Sequence, residues 1–104
     1  MNKEKWEIWW ADVRYEEDPL ESKIRPVLVI DDKKTFLVSF KITSKLHHEG
    51  YIIRYWREAG LDNESMIIVK RLKINENDFR DRIGKLDQRD IIDLVAYMAV
   101  QPGM

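Results

Sequence analysis

Short runs of branched and aromatic residues, separated by polar segments, extend over most of this chain. Trp6–Val13 and Tyr51–Tyr55 have the composition of strands. Arg25–Asp31 contains the unbroken apolar run Val27–Ile30, which is typical of a strand covered on both faces. Pro26 cannot donate a ladder hydrogen bond, so we expect it at the start of that strand.

The segment Thr35–Thr43 alternates between apolar and polar positions, which predicts a further strand. The set assigned to the core face is Phe36, Val38, Phe40 and Ile42. Thr43 then leaves the strand on the opposite, polar face. If this strand and the preceding one form a hairpin through Lys33 and Lys34, position 25 comes close to positions 41–43 across the ladder.

The other predicted elements are short. Two are loops, an exposed acidic loop over Tyr15–Lys23 and a second loop over Ser44–Gly50. One helical turn is predicted over Trp56–Ala59, closed by Gly60.

The remaining segments follow in order. A strand is predicted over Met66–Ile74, with Met66, Ile68, Leu72 and Ile74 inward, and a turn over Asn75–Asp78. Phe79–Leu86 is expected to hold a helical turn and a short strand around Ile83.

Asp87–Val100 is the one long helical pattern. Asp87 can cap the helix, and Asp90 stands three positions later, as in a capping box. The face assigned to the core carries Ile91, Val95, Met98 and Ala99, and Ile92, Leu94 and Ala96 widen it. Five or six short antiparallel strands and a terminal helix predict a mostly β fold, a small barrel or curled sheet, in a single domain over residues 1–104.

Composition narrows the function classes. The chain has 104 residues, no cysteine, and 18 basic against 19 acidic side chains. Disulfides, thiolate metal sites and cysteine nucleophiles are therefore excluded, and overall charge does not steer the chain toward nucleic acid. No metal-ligand spacing or Gly-rich phosphate loop occurs, so we predict neither a metal nor a cofactor. No apolar run reaches bilayer length and no signal-peptide h-region is present, so we expect a cytoplasmic location.

Several polar residues allow two interpretations. A basic cluster is either a solvated face or a set of phosphate contacts, and its members are Lys70, Arg71, Lys73, Arg80, Arg82 and Lys85. His47 and His48 are either exposed loop residues or include one group near a substrate phosphate. Arg25 either pairs with the acidic loop or presents its guanidinium at the mouth of a strand. The aromatic residues either pack in a core or dimer contact, or stack on RNA bases, and they are Trp6, Trp9, Trp10, Tyr51, Tyr55 and Trp56.

Taken in order, four segments resemble the PemK/MazF-type toxins of bacterial toxin–antitoxin systems. They are Ile8–Val13, Lys23–Ile30 with its Arg-Pro-apolar run, Lys41–Ser44, and Ile83–Leu86 before the terminal helix. The chain differs from the family at two places. Lys5-Trp6-Glu7 stands where a Gly-Asp pair usually precedes the first strand, and Val69-Lys70-Arg71 stands where a later strand often carries Asp-Gln.

The resemblance implies an SH3-like barrel, a homodimer, and a metal-independent endoribonuclease that cleaves single-stranded RNA. It also implies an antitoxin whose disordered tail covers the RNA groove. The catalytic arginine of the family falls on Arg25 and its catalytic threonine on Thr43. We expect further RNA contacts from Ser44, Lys45, His47, Lys70 and Arg71. The general base stays open, because an arginine, with a pKa above about 12, is a poor proton acceptor.

The sequence leaves two alternative functions open. The chain could be a non-catalytic SH3-like module that grips a protein partner, since the same broad superfamily includes toxins that bind a topoisomerase. It could also be an inactive relative. The wide apolar helix and the tryptophans would serve a protein partner.

Overall fold

One antiparallel sheet and a C-terminal helix make up the fold in the computed structural model, which describes residues 3–14 and 22–100. In this described part the strands are β1 Glu7–Arg14, β2 Ser22–Asp32, β3 Phe36–Thr43, β4 Tyr51–Ile52, β5 Met66–Asn75 and β6 Phe79–Lys85. A 3₁₀ turn spans Glu76–Asp78, and helix α1 spans Gln88–Ala99. The strand order is β4-β5-β3-β2-β1-β6.

The predicted mostly β fold with a terminal helix is confirmed, but among residues 3–14 and 22–100 hydrogen bonds do not close the sheet into a barrel. Strands β4 and β6 lie at its two ends. The segment after β4 packs against β6 instead. A Cβ added at Gly84 would collide with the carbonyl oxygen of Ala59, and one at Gly60 would come within 2.6 Å of the carbonyl oxygen of Ile83. Glycine at both positions therefore allows a backbone contact that curls the sheet without pairing its edges.

Strand β2 is longer than its apolar run predicts. Ser22 and Lys23 belong to the strand and not to a loop, because they pair with Arg14 and Val13 of β1. The rest of the predicted acidic loop, residues 15–21, lies outside the described residues.

Pro26 lies inside β2, so its expected place at the strand start is wrong. The residue pairs with Trp10 of β1, while pairing between β2 and β3 begins only at Val27. At Pro26 the strand therefore has a ladder on one side only, which a residue without an N–H tolerates. The prediction that the apolar run is covered on both faces is confirmed, since Val27, Leu28 and Val29 are at most 1% exposed.

Strand β3 corrects the prediction of one core face and one polar face. Phe40 and Ile42 are buried in the main core, but Leu37 and Ser39 on the opposite face are fully buried as well. Leu37 packs with Trp9 and Val29 in a separate, smaller cluster. Because the curled sheet covers parts of both its faces, alternation along the strand does not mark a solvent side.

Three further local predictions need correction. β4 has only two residues, because the backbone N–H groups of Arg54 and Tyr55 donate to Asp90 and not to a neighbouring strand. β5 has an irregular register between Ile68 and Leu72, which replaces the predicted inward set by Met66, Ile67 and Ile74. Phe79–Lys85 forms one continuous strand, and the helical turn precedes it at Glu76–Asp78.

Helix α1 begins at the predicted cap but buries a narrower face than predicted. The Asp87 side chain accepts a hydrogen bond from the N–H of Arg89, as a cap should. Ile91 and Leu94 are buried, whereas Val95 is 50% exposed. Asp90 is fully buried and points away from the cap, toward the segment after β4. No helix among the described residues is long and apolar enough to cross a membrane.

Candidate functional site

A cleft of about 370 Å³ lies at the open end of the hairpin formed by β2 and β3. Residues from the ends of both strands form one part of its lining, and the segment before β5 forms another. The lining comprises Trp10, Ile24, Arg25, Pro26, Ile42, Thr43, Ser44, Lys45, Gly60, Leu61, Asp62, Asn63, Ser65 and Ile83.

Strand register explains why Arg25 and Thr43 reach the same cleft. Val27 and Lys41 form the first pair of the β2–β3 ladder, and Arg25 and Thr43 each lie two residues beyond that pair, on the same face of their strands. Side chains directly opposite each other in such a ladder lie on the same face. The predicted hairpin is thus confirmed by its pairing, and the catalytic roles of the two residues stay predictions.

Thr43 is held in a defined orientation at the end of β3. It is only 7% exposed, which contradicts its expected place on an open polar face. Its Oγ1 accepts a hydrogen bond from the backbone N–H of Lys45 at 3.1 Å. A hydroxyl group has one proton and two lone pairs, so this contact leaves the proton available for a second acceptor in the cleft.

The described cleft residues carry two cationic side chains and one carboxylate. Arg25 is half-buried and pairs through its backbone with Ala11 of β1, while Lys45 is exposed. Asp62 is the single acidic residue of this lining. A guanidinium donates two parallel hydrogen bonds and an ammonium adds a point charge, so this arrangement suits a phosphate better than a neutral ligand.

The sequence patterns missed the wall formed by residues 60–65. Hydrogen bonds fix this segment: the N–H of Leu61 donates to the carbonyl of Trp56 at 3.0 Å, and the Ser65 hydroxyl donates to the carbonyl of Asn63 at 2.8 Å. Gly60 has a φ of +92°, a conformation that side chains rarely adopt. The turn-forming residues Gly60 and Asn63 mark a loop in the sequence, but nothing local places that loop beside β2.

Asp90 of α1 anchors the segment that leads into this wall. Its carboxylate accepts hydrogen bonds from the Tyr51 hydroxyl at 2.6 Å, from the N–H of Arg54 at 3.0 Å and from the N–H of Tyr55 at 2.8 Å. Burial and the hydrogen bond to Asp90 raise the pKa of Tyr51 well above its ordinary value of 10.0, so its phenol stays a donor.

Three of the predicted RNA-contacting residues lie outside the cleft lining. His47 is exposed, and its ring lies 4.4 Å from that of His48, whose pKa is lowered by burial and by the positive charges of His47, Lys41 and Lys45. Lys70 and Arg71 are exposed in the middle of β5. Lys70 stands four residues after Met66, the partner of Thr43, which is about 13 Å along a strand.

Several other candidate residues serve the fold. Arg82 donates to Glu7 at 2.7 Å and Arg80 lies 3.7 Å from Asp12, so two members of the basic cluster form ion pairs. Trp9 is 4% exposed in the core, while Trp10 is 37% exposed and lines the cleft. Within the described residues, no three His, Asp or Glu side chains converge as they would to hold a metal ion.

Comparison with known protein families gives a match. The family model described as PemK-like, MazF-like toxin of type II toxin–antitoxin system matches residues 4–100 of the 104. No curated protein matches the chain significantly. The match spans β1 to α1 and includes every described residue of the cleft lining.

Proposed function

This chain belongs to the PemK-like, MazF-like toxins of type II toxin–antitoxin systems, and on that premise we propose that it is a metal-independent, sequence-selective endoribonuclease. Its substrate is single-stranded RNA in the cytoplasm, its cleavage inhibits growth, and its products are a 2′,3′-cyclic phosphate and a 5′-hydroxyl. The observation that carries the proposal is that Arg25, Thr43, Ser44 and Lys45 line one cleft.

The reaction needs donors around the phosphate, a general base and a general acid. The 2′-hydroxyl oxygen attacks the adjacent phosphorus as the base takes up its proton, and the bond from phosphorus to the 5′-oxygen breaks as the acid gives that oxygen a proton. Arg25 is the electrostatic clamp that donates to the non-bridging oxygens as negative charge builds on them. The Thr43 hydroxyl donates a hydrogen bond to the same phosphate group, because its oxygen already accepts one from the N–H of Lys45.

The residues around the cleft also indicate which side chains contact the RNA on either side of the cleaved phosphate. Ser44 and Lys45 come directly after Thr43 and line the cleft, so they contact the phosphate next to the cleaved one. His47, Lys70 and Arg71 are exposed at a greater distance and stay predictions for the strand beyond it. The antitoxin covers this cationic cleft with a disordered tail and thereby excludes RNA.

Cleavage by matched variants tests the catalytic assignment. Purified protein is incubated with single-stranded RNA in the presence of a chelator, and the initial rate is measured for wild type, Arg25→Ala, Thr43→Val and Thr43→Ser. Losing one transition-state donor costs about 10²–10³ in rate, so we expect that loss for Arg25→Ala and Thr43→Val. Thr43→Ser keeps the hydroxyl and should retain most of the rate.

Arg54→Ala is the control, because Arg54 is exposed, pairs only loosely with Asp93 at 3.7 Å, and does not line the cleft. Its rate should equal that of wild type. Equal cleavage by wild type and Arg25→Ala would end the assignment. Capture of a protein partner without RNA shortening would favour the non-catalytic binding module, and absence of growth arrest on expression would favour an inactive relative.

A further inference from the structure

An open depression adjoins the cleft and has a different chemistry. Its lining comprises Ser44, Leu46, Trp56, Asn63 and Glu64. Ser44 and Asn63 line both the cleft and the depression, so the two spaces are continuous. A single strand whose phosphate lies at Arg25 can therefore place a neighbouring nucleotide in the depression.

The lining of the depression differs from that of the cleft in its charged side chains. Among the described residues, its lining has no Lys or Arg, and it combines an indole, an amide, a hydroxyl and the Glu64 carboxylate. A carboxylate repels a phosphate but accepts hydrogen bonds from the exocyclic amino groups of adenine, guanine and cytosine. Uracil has no amino group, and its N3–H is flanked by two carbonyl oxygens that a carboxylate repels. The indole of Trp56 offers the surface on which bases pack. These groups suit a nucleobase and not the sugar–phosphate backbone.

The backbone that carries these groups is hydrogen-bonded before a base binds. The Trp56 carbonyl accepts from the N–H of Leu61 at 3.0 Å, and the Arg57 guanidinium lies 4.7 Å from the centre of the Trp56 ring. The Asn63 carbonyl accepts from the Ser65 hydroxyl. Within the described part of the chain, the Asn63 side-chain amide and the Glu64 carboxylate make no hydrogen bond or ion pair, so both can serve a ligand.

We propose that this depression is a base-selecting subsite: it binds the nucleobase beside the scissile phosphate and favours a base with an exocyclic amino group over uracil. Glu64 accepts a hydrogen bond from that amino group, Asn63 contacts the remaining edge, and Trp56 packs against the ring. The proposal rests on the proposed nuclease activity and goes beyond it, because it assigns the choice of cleavage sequence to residues 56–64.

Mapping of cleavage sites tests the subsite. A pool of single-stranded RNAs with a randomised stretch is cleaved by wild type, Glu64→Gln, Asn63→Ala and the control Glu49→Gln, and the new 5′ ends are sequenced. Glu49 is an exposed carboxylate of the neighbouring loop that lines neither space. We expect wild type and Glu49→Gln to share one position beside the cut where uracil is disfavoured. One good contact to a base edge discriminates by about 10-fold or more, and Glu64→Gln should lose that preference.

Affinity gives a second readout. An RNA whose cleaved nucleotide has a 2′-deoxyribose lacks the nucleophile, so its binding can be measured by fluorescence anisotropy with an amino-bearing base or with uracil at the mapped position. Wild type should bind the first about 10-fold more tightly, and Glu64→Gln should bind both alike. Identical site preferences in wild type and Glu64→Gln, or a requirement for uracil at every selected position, would overturn the subsite. Absence of any cleavage or binding by wild type would instead overturn the nuclease.

Discussion

At the scale of single residues, three buried hydroxyl groups differ in whether they are hydrogen-bonded. Thr43 and Ser65 are hydrogen-bonded, to the N–H of Lys45 and the carbonyl of Asn63. Ser39 is fully buried, and its Oγ has no hydrogen-bond partner in the described residues. A buried hydroxyl without a partner destabilises the folded state, whereas a bonded one stabilises it.

This difference predicts opposite effects of the same substitution. Ser39→Ala should raise the free energy of unfolding by about 1 kcal/mol, because it removes an unpaired polar atom. Ser65→Ala should lower it by about 1 kcal/mol, because it removes a hydrogen bond. Urea unfolding followed by tryptophan fluorescence measures both. A loss of stability in Ser39→Ala would show that its hydroxyl is paired in solution.

Glu7 links stability to pH. Burial acts to raise the pKa of this carboxyl, but hydrogen bonds from the N–H of Glu4, from Arg82 and from Trp9 outweigh it, so the pKa lies below its ordinary value of 4.5. The unfolded chain then takes up the proton first as the pH falls. The stabilisation is fully present above pH 4.5 and is lost as the pH falls through the folded pKa.

Glu7→Gln measures this contribution. The difference in free energy of unfolding between wild type and Glu7→Gln should be largest near neutral pH and should shrink below pH 4.5. Urea titrations at neutral and acidic pH give the two values. A difference that stays constant over this range would contradict the linkage.

At the scale of elements, α1 contributes to the cleft without lining it. Asp90 is fully buried and connects the first turn of the helix to Tyr51 and to the backbone of Arg54 and Tyr55. The Arg89 guanidinium lies 3.5 Å from the centre of the Tyr55 ring and fastens the same segment. This segment continues into residues 60–65, so the helix fixes the position of one cleft wall.

Asp90→Ala should therefore destabilise the fold by about 2–4 kcal/mol, because it leaves three donors without their charged acceptor. Asp93→Ala on the same helix is the matched control. Asp93 is half-exposed and lies 3.7 Å from Arg54, so its loss should change stability by less than about 1 kcal/mol. Thermal or urea unfolding compares the two variants. Equal effects would show that the buried contacts add nothing beyond a surface pair.

At the scale of the whole molecule, several large apolar side chains remain exposed. Ile24 is 56%, Ile52 51%, Ile92 60% and Val95 50% exposed. They lie on β2, β4 and α1, so a single chain presents apolar surface on several sides. A chain of this size gains stability by covering such surface in an oligomer.

We expect a homodimer. Light scattering on the eluting protein should give about twice the chain mass of 12.5 kDa at micromolar concentration. Dilution should shift the mass toward that of one chain if the interface is of modest size. A mass of one chain at all concentrations above micromolar would refute the prediction.

The sequence by itself determined the fold class, most of the strands, the terminal helix and one half of the cleft. The existence of β3, the apolar run of β2 and the Asp87 cap depend on neighbouring residues, so they can be predicted locally, and the hairpin of β2 and β3 places Arg25 and Thr43 at the same cleft. The tertiary structure alone decided that Thr43 is buried, that Asp90 serves the loop after β4 instead of the helix cap, and that residues 60–65 complete the cleft. These features arise from contacts between distant residues, such as Tyr51 and Asp90, 39 positions apart. Their partners are chosen by strand order and packing, which no local pattern contains.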